Sequence, residues 1–245
     1  MHRFFIPPAL LERSRVILPD HVAHQVRTVL RMHPNDQIIL LDGNGMTYTA
    51  RITSISREQV TVEIVESARA EGEPETYIAL YQAALKKDHF EWALEKGTEI
   101  GVSAFVPIIT ARCIPREIDE NKLERWGRII TEAAEQCGRG IIPELSQPMA
   151  FEAIFDQFAD FDLCLILDTR PDAPTLGDVI GDFRAEFEDV PAVALIVGPE
   201  GDFTPEEMAA AIRAGAKPAS IGPRILRAET AGIAAAAMLI YEWEL

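Results

Sequence analysis

The chain has 245 residues, 48% apolar and 25% charged, which allows one large domain or two modest ones. Its longest apolar run, Ala231 to Tyr241, falls far short of the roughly 18 residues a membrane-spanning helix needs, so no membrane partner is expected. The net charge of −16 argues at first sight against a nucleic-acid partner, because phosphate contacts need Lys and Arg.

The charge is unevenly spread, however. Residues 1–70 hold eight arginines against seven acids, and four of the five histidines; residues 71–245 hold 15 basic against 32 acidic groups. Such asymmetry predicts two modules with different tasks, and any RNA contact should start from the first. The N-terminal stretch has two prolines in its one apolar patch and no small-residue cleavage site, so no signal peptide is expected. Cys113, Cys137 and Cys164 are odd in number, far apart and without a C-x-x-C pair, which predicts three small core hydrophobes in a reducing cytoplasm. His21, His24, His33 and His89 show no metal-ligand spacing with nearby acids; they read as surface or polar contacts, and no metal is expected.

In chain order, Val16–Leu18, Gln37–Leu41, Thr47–Ile55 and Val60–Val65 are rich in β-branched residues and punctuated by Pro34-Asn35-Asp36 and Asp42-Gly43-Asn44-Gly45. Between the first two, Asp20 to Leu30 predicts a helix behind an Asp N-cap, with Val22, Val26, Val29 and Leu30 on its apolar side. Four or five strands and one helix suggest a small barrel. Ser67 to Glu75, polar with Gly and Pro, reads as a linker. The domain boundaries follow: 1–70, the end of a linker at 71–75, and 76–245.

After the linker, strands alternate with helices. Strands are predicted at Tyr77–Ala83, Ala104–Ile108, Leu163–Leu167, Val193–Val197 and Pro218–Ile221. Helices are predicted at Lys87–Ile100, Asp119–Cys137, Phe151–Phe158, Pro205–Ala214 and Glu229–Glu244. Leu123, Trp126, Ile130, Ala133 and Cys137 form one stripe of the second helix. Continuous apolar strands between amphipathic helices mean a buried, largely parallel sheet, whose ligands bind at the carboxyl ends of strands.

Three loops there are unusual: Leu167 to Pro171, Gly198-Pro199-Glu200-Gly201, and Ile221 to Thr230. The second ends in Thr204-Pro205-Glu206-Glu207, a capping box with Pro at the first helical position. A helix start usually favours anions, but Glu200, Asp202, Glu206 and Glu207 crowd this one. A polyphosphate would meet like charge. A neutral or cationic cofactor held by backbone groups suits the loop better, adenosine with a sulfonium centre being one such ligand.

The segments Val197 to Gly201 and Leu226-Arg227-Ala228-Glu229-Thr230-Ala231 resemble motifs of the SPOUT methyltransferases, more specifically the RsmE-type family. Arg3-Phe4-Phe5, Val29-Leu30-Arg31-Met32, Lys96 to Val102 and Glu135-Gln136-Cys137-Gly138-Arg139 match as well, so the resemblance covers nearly the whole chain. It implies an α/β protein with an N-terminal PUA-like RNA-binding β-barrel and a C-terminal SPOUT domain carrying a deep trefoil knot. It also implies a homodimer that uses S-adenosylmethionine to methylate N3 of a uridine in 16S ribosomal RNA of the small subunit. Alternatives are a non-catalytic RNA-binding assembly factor and a methyltransferase acting on another RNA. The resemblance assigns the cofactor to Leu167, Asp168, Gly198, Pro199, Glu200, Gly201, Ile221, Gly222, Pro223 and Leu226. Arg227 is the candidate to hold the uridine anion or its phosphate, with Glu229 and Glu200 to orient it or accept the proton. Arg3, Arg27 and Arg31 are candidate RNA contacts, Arg27 and Arg31 sharing a face if the helix extends that far, and Gln136 and Arg139 are further candidates. One departure is visible: the family usually has a second glycine after Gly201, where this chain has Asp202.

Overall fold

The computed structural model describes residues 1–114 and 117–244, which divide into two compact units. The first comprises Met1–Glu73 together with Thr131–Ile142. It contains β1 (Arg3–Phe5), α1 (Pro8–Leu11), β2 (Arg15–Ile17), α2 (Asp20–His24), β3 (Gln37–Leu41), β4 (Met46–Ile55) and β5 (Val60–Arg69). The sheet order is β1-β3-β4-β5-β2, antiparallel except for the parallel pair β1–β3. Alternation does the sorting: Ile38, Leu40, Ala50, Ile52, Val60 and Val62 are all fully buried on the face that packs on Val22 and Val26.

Three expectations need correction here. The helix after Asp20 has no side-chain cap; Pro19 occupies the cap position, and the α-helix ends at His24 and widens into a π-turn over Gln25–Val29. Arg31 then takes a φ of 53°, which ends the helix before it and removes the shared face proposed for Arg27 and Arg31. The β-branched run Val26, Thr28 and Val29 resists regular helix, and Val29 is left 64% exposed. Ser67–Arg69 are not linker but the end of β5, paired with Met46–Tyr48. β1 was not anticipated at all.

The second unit comprises Pro74–Ile130 and Pro143–Leu245. In chain order it holds β6 (Tyr77–Ala83), α3 (His89–Ile100), β7 (Ala104–Ile109), most of α4 (Glu120–Cys137), β8 (Glu144–Leu145) and β9 (Met149–Ala150). A 3-10 helix (Phe151–Asp160), β10 (Leu163–Leu167), α5 (Leu176–Arg184), β11 (Ala192–Val197), α6 (Pro205–Ala214), β12 (Lys217–Ala219) and α7 (Ala228–Glu244) follow. The sheet runs β12-β10-β11-β6-β7-β8, with β9 also on β7, and every one of these pairings is parallel. Leu163–Leu167 is buried throughout, as a strand covered on both faces must be.

The helix predicted at Phe151–Phe158 is a 3-10 helix that runs on to Asp160, and β12 stops at Ala219, two residues early. Of the α4 stripe, Trp126 stacks on Phe90 at 4.2 Å and Ile130 is buried, but Cys137 is exposed and is no core residue. The family-like segment Lys96 to Val102 has a packing reason. A Cβ at Gly97 would lie 2.7 Å from the Phe105 ring, and Gly101 ends α3 at a φ of 123°.

Candidate functional site

β12, β10 and β11 are neighbours, so their carboxyl ends deliver the three unusual loops side by side. The loops after β10 and β12 enclose a cavity of about 500 Å³, within the range of small-molecule sites. Of the expected cofactor residues it brings together Leu167, Asp168, Ile221, Gly222, Pro223 and Leu226. Gly198, Pro199, Glu200 and Gly201 do not line it. Their loop is joined to it through Asp202, whose Oδ2 accepts the Thr169 hydroxyl at 2.6 Å.

The walls combine apolar side chains with backbone. Ser220 is clasped between two hydrogen bonds, its N–H donating to Pro174 O and its O accepting from Leu176 N–H, both at 2.8 Å. Gly222 has a φ of 116° and open space where a Cβ would stand, so a ligand can approach its backbone closely. Asp168 is buried, and its two oxygens take the Arg170 guanidinium at 2.6–3.1 Å. Two arginines line the cavity, Arg170, held by Asp168, and Arg224. The apolar walls, the open backbone at Gly222 and the buried Asp168 fit a nucleoside with a cationic sulfonium.

The Gly198 loop is rigidly braced. Arg112 Nη1 donates to Gly201 O at 2.8 Å and Phe203 O at 3.1 Å, a role that sequence reasoning missed. The capping box forms as expected, with Thr204 accepting from Glu207 N–H and Glu207 accepting from Thr204 N–H. Neither Gly198 nor Gly201 has a positive φ; they are small because Phe203 and Arg112 press on them, at 3.1 and 3.3 Å from a would-be Cβ.

Asp202 takes the left-handed conformation, φ 61°, which explains why glycine is usual there. Its Oδ1 accepts Phe203 N–H at 2.8 Å while Oδ2 holds Thr169, so the carboxylate offsets the strain it introduces. Asp202→Ala, which loses both bonds and keeps the strain, should therefore unfold in urea at least about 1 kcal/mol more easily than Asp202→Gly. Equal midpoints for the two variants would remove backbone strain from the account.

Of the candidate catalytic residues, Glu229 is buried, 6% exposed, and its Oε1 lies 2.7 Å from His89 Nδ1. Arg227 is 77% exposed along its side chain and 4.0 Å from the same oxygen, a loose pair. Glu200 is not turned to Arg227; its Oε1 accepts Lys86 N–H at 3.1 Å. In the first unit, Arg27 donates to the carbonyls of Ser56 and Arg57, Arg31 is exposed, and the Arg3 guanidinium lies against Gly138. Gln136 is exposed, but Arg139 is only 4% exposed and bound to Glu73 at 3.0 Å. Arg139 braces Glu73, whose other oxygen accepts Gly140 and Ile141 N–H, and it is too deep to reach RNA.

A mainly antiparallel sheet bearing surface arginines, joined in one chain to a parallel sheet with a nucleoside-sized cavity at its switch of strand order, defines an RNA-modifying enzyme. The chain belongs to the RNA methyltransferase family: the family's RNA methyltransferase domain matches residues 72–240, and its RNA methyltransferase PUA domain matches residues 18–65. The small subunit ribosomal RNA methyltransferase E of Synechocystis is 33% identical over 240 residues, covering 97% of this chain and 77% of the relative. That of Bacillus subtilis is 30% identical over 254 residues, covering 100% and 98%. Among solved structures, the ribosomal RNA small subunit methyltransferase E of Neisseria gonorrhoeae, bound to S-adenosyl methionine, aligns with a TM-score of 0.89 at 34% identity, covering 99% of this chain and 98% of that one. The fold is accordingly a PUA-like N-terminal domain followed by a parallel-sheet methyltransferase domain.

Proposed function

We propose that this protein transfers a methyl group from S-adenosylmethionine to N3 of a uridine in 16S ribosomal RNA, in the cytoplasm and within the small ribosomal subunit. The observation that carries the reading is the nucleoside-sized cavity of the loops after β10 and β12, in a chain matched end to end by small subunit methyltransferases E. When bound, the cofactor supplies a methyl group on a sulfonium, activated for in-line displacement. Leu167, Asp168, Ile221, Gly222, Pro223 and Leu226 hold the adenosine, and the Gly198–Gly201 loop closes the site. Positioning then supplies much of the rate. Arg227, exposed and loosely tethered, holds the uridine anion or its phosphate, with Glu229 behind it. Mass-spectrometric mapping of ribosomal uridines from cells with and without the gene tests the assignment: loss of one N3-methyluridine is expected, and an unchanged map overturns it.

The remaining assignments belong to the same reading. Residues 1–70 serve RNA binding and 76–245 carry the chemistry. The knot of the family belongs to the segment after β12; the parallel seat of β12 beside β10 and the Ser220 hydrogen bonds to Pro174 and Leu176 support this reading. The protein is a homodimer through an apolar face of α5 and α7, which is left open around Ile180, Ala237, Met238 and Tyr241. Arg3, Arg27, Arg31 and Gln136 contact phosphate. Arg31→Ala should therefore lower the slope of log affinity against log salt by about 0.7–0.9 without changing cofactor affinity. Arg27→Ala should also loosen the Ser56–Arg57 turn it now braces. An unaltered salt slope for Arg31→Ala would move the RNA surface elsewhere.

A further inference from the structure

One residue along α7 from the cofactor cavity, a second hollow of about 400 Å³ opens between Lys87–Trp92 and Arg227–Thr230. Its contents are not what stability alone selects. Glu229 is buried with Oε2 lacking any hydrogen-bond partner among the described residues, a costly state for a carboxylate. Its Oε1 approaches His89 Nδ1 to 2.7 Å, yet that buried nitrogen is not aligned for a hydrogen bond, so a small ring rotation would complete one. Trp92 leaves 43% of its surface exposed, and Lys87 at the rim is held at a φ of 54°.

Resting on the methyltransferase reading above, we propose that this hollow receives the target uridine. Trp92 is the face on which the base stacks, and His89, backed by Glu229, accepts the N3 proton. A carboxylate at Nδ1 fixes the tautomer that leaves a lone pair on Nε2. The His89 side chain is 31% exposed while Nδ1 is buried, so Nε2 is the nitrogen that faces the hollow. The N3–H bond breaks, its proton passes to Nε2, and the electron pair stays on N3 as nucleophile for the methyl group. The imidazolium formed is balanced by the Glu229 carboxylate until it releases the proton to solvent. Alignment that tightens only when substrate is bound is ordinary for such groups. Tryptophan in this role is chemically apt, because any base has a π-face to stack on it.

Two measurements test the proposal, one of them without cofactor. Hexauridylate should quench tryptophan emission of the wild-type protein; Trp92→Phe keeps an aromatic face but should abolish the quench, since Trp126 is buried and Trp243, at the other end of α7, packs on Phe183. A quench that persists in Trp92→Phe overturns the stacking site. With small subunits lacking the modification, His89→Ala should slow single-turnover methyl transfer by about 100-fold or more, with calorimetric affinity for S-adenosylmethionine unchanged and partial rescue by added imidazole. A rate within threefold of wild type, or a slow variant that imidazole does not rescue, overturns the role of His89. Wild-type protein that methylates nothing in those subunits fails the methyltransferase reading itself. Active wild type with an equally active His89→Ala fails the base assignment alone.

Discussion

Replacing Gly198 by valine is expected to abolish cofactor binding at concentrations that saturate the wild-type protein. Even a single Cβ there would stand 3.1 Å from the buried Phe203 ring and 3.5 Å from Asp202 Oδ1. Valine adds two methyl groups beyond that atom, so either Phe203 or the loop must move. Phe203 is held in the core, whereas the loop ends at an exposed turn, so the loop yields. Its displacement passes through Asp202 to Thr169, which lines the cofactor cavity. A misplacement near 1 Å is enough to reduce methyl transfer by about 100-fold. Overpacking against Phe203 should also cost about 1–3 kcal/mol of stability, a fall in Tm of several degrees but not loss of the fold. Calorimetry with S-adenosylmethionine and a thermal melt by circular dichroism separate the two effects. Near-normal affinity in the folded variant would take this loop out of the site.

The parallel sheet was legible because its strands are buried on both faces and therefore mostly apolar: Leu163–Leu167 ends where its apolar run ends, at Asp168, and Tyr77–Ala83 is interrupted only by the buried Gln82. Short elements were not. β1 spans three residues, and its place beside β3 is settled by pairing rather than by local pattern. The helix Leu176–Arg184 was overlooked although Thr175 and Asp178 spell its capping box and Leu176, Val179, Ile180 and Phe183 its buried stripe. The three loops at the carboxyl ends of β10, β11 and β12 could be found in sequence because strand ends and glycines mark them. The Arg112 brace and the pairing of His89 with Glu229 could not, since each joins residues about 90 to 140 positions apart without a local signature. Lys87, Asp88 and His89 do follow the carboxyl end of β6, so the rule that located the other loops applies to them as well. The charge asymmetry pointed to arginines of residues 1–70 and the family-like segment to Arg139, but neither could tell an exposed arginine, Arg31, from a buried brace, Arg139.

Met238→Glu is expected to dissociate the protein and to lower methyl transfer with it. α7 buries Gly232, Ala235, Ala236 and Leu239 on one side, and Glu229 at its start. That leaves Ala237, Met238 and Tyr241 outward, Met238 at 45% and Tyr241 at 66% exposure. The opposite wall of this hollow is Leu176, Gly177 and Ile180 of α5, and only Glu242 among its lining residues carries a charge. That carboxylate is already occupied by Arg184. An apolar face of this kind, rimmed by a satisfied ion pair, is the surface a partner copy would cover. In a closed two-fold dimer the same patch serves both subunits, so one substitution strikes the interface twice. An unpaired glutamate buried there costs several kcal/mol at each site, on the scale of unpaired buried charge. In the separated chain the same side chain is solvated, so Met238→Glu should remain folded at low concentration. Light scattering should then report a mass near 27.1 kDa for the variant and twice that for the wild type. A fully active wild-type protein at the single-chain mass would sink the dimer.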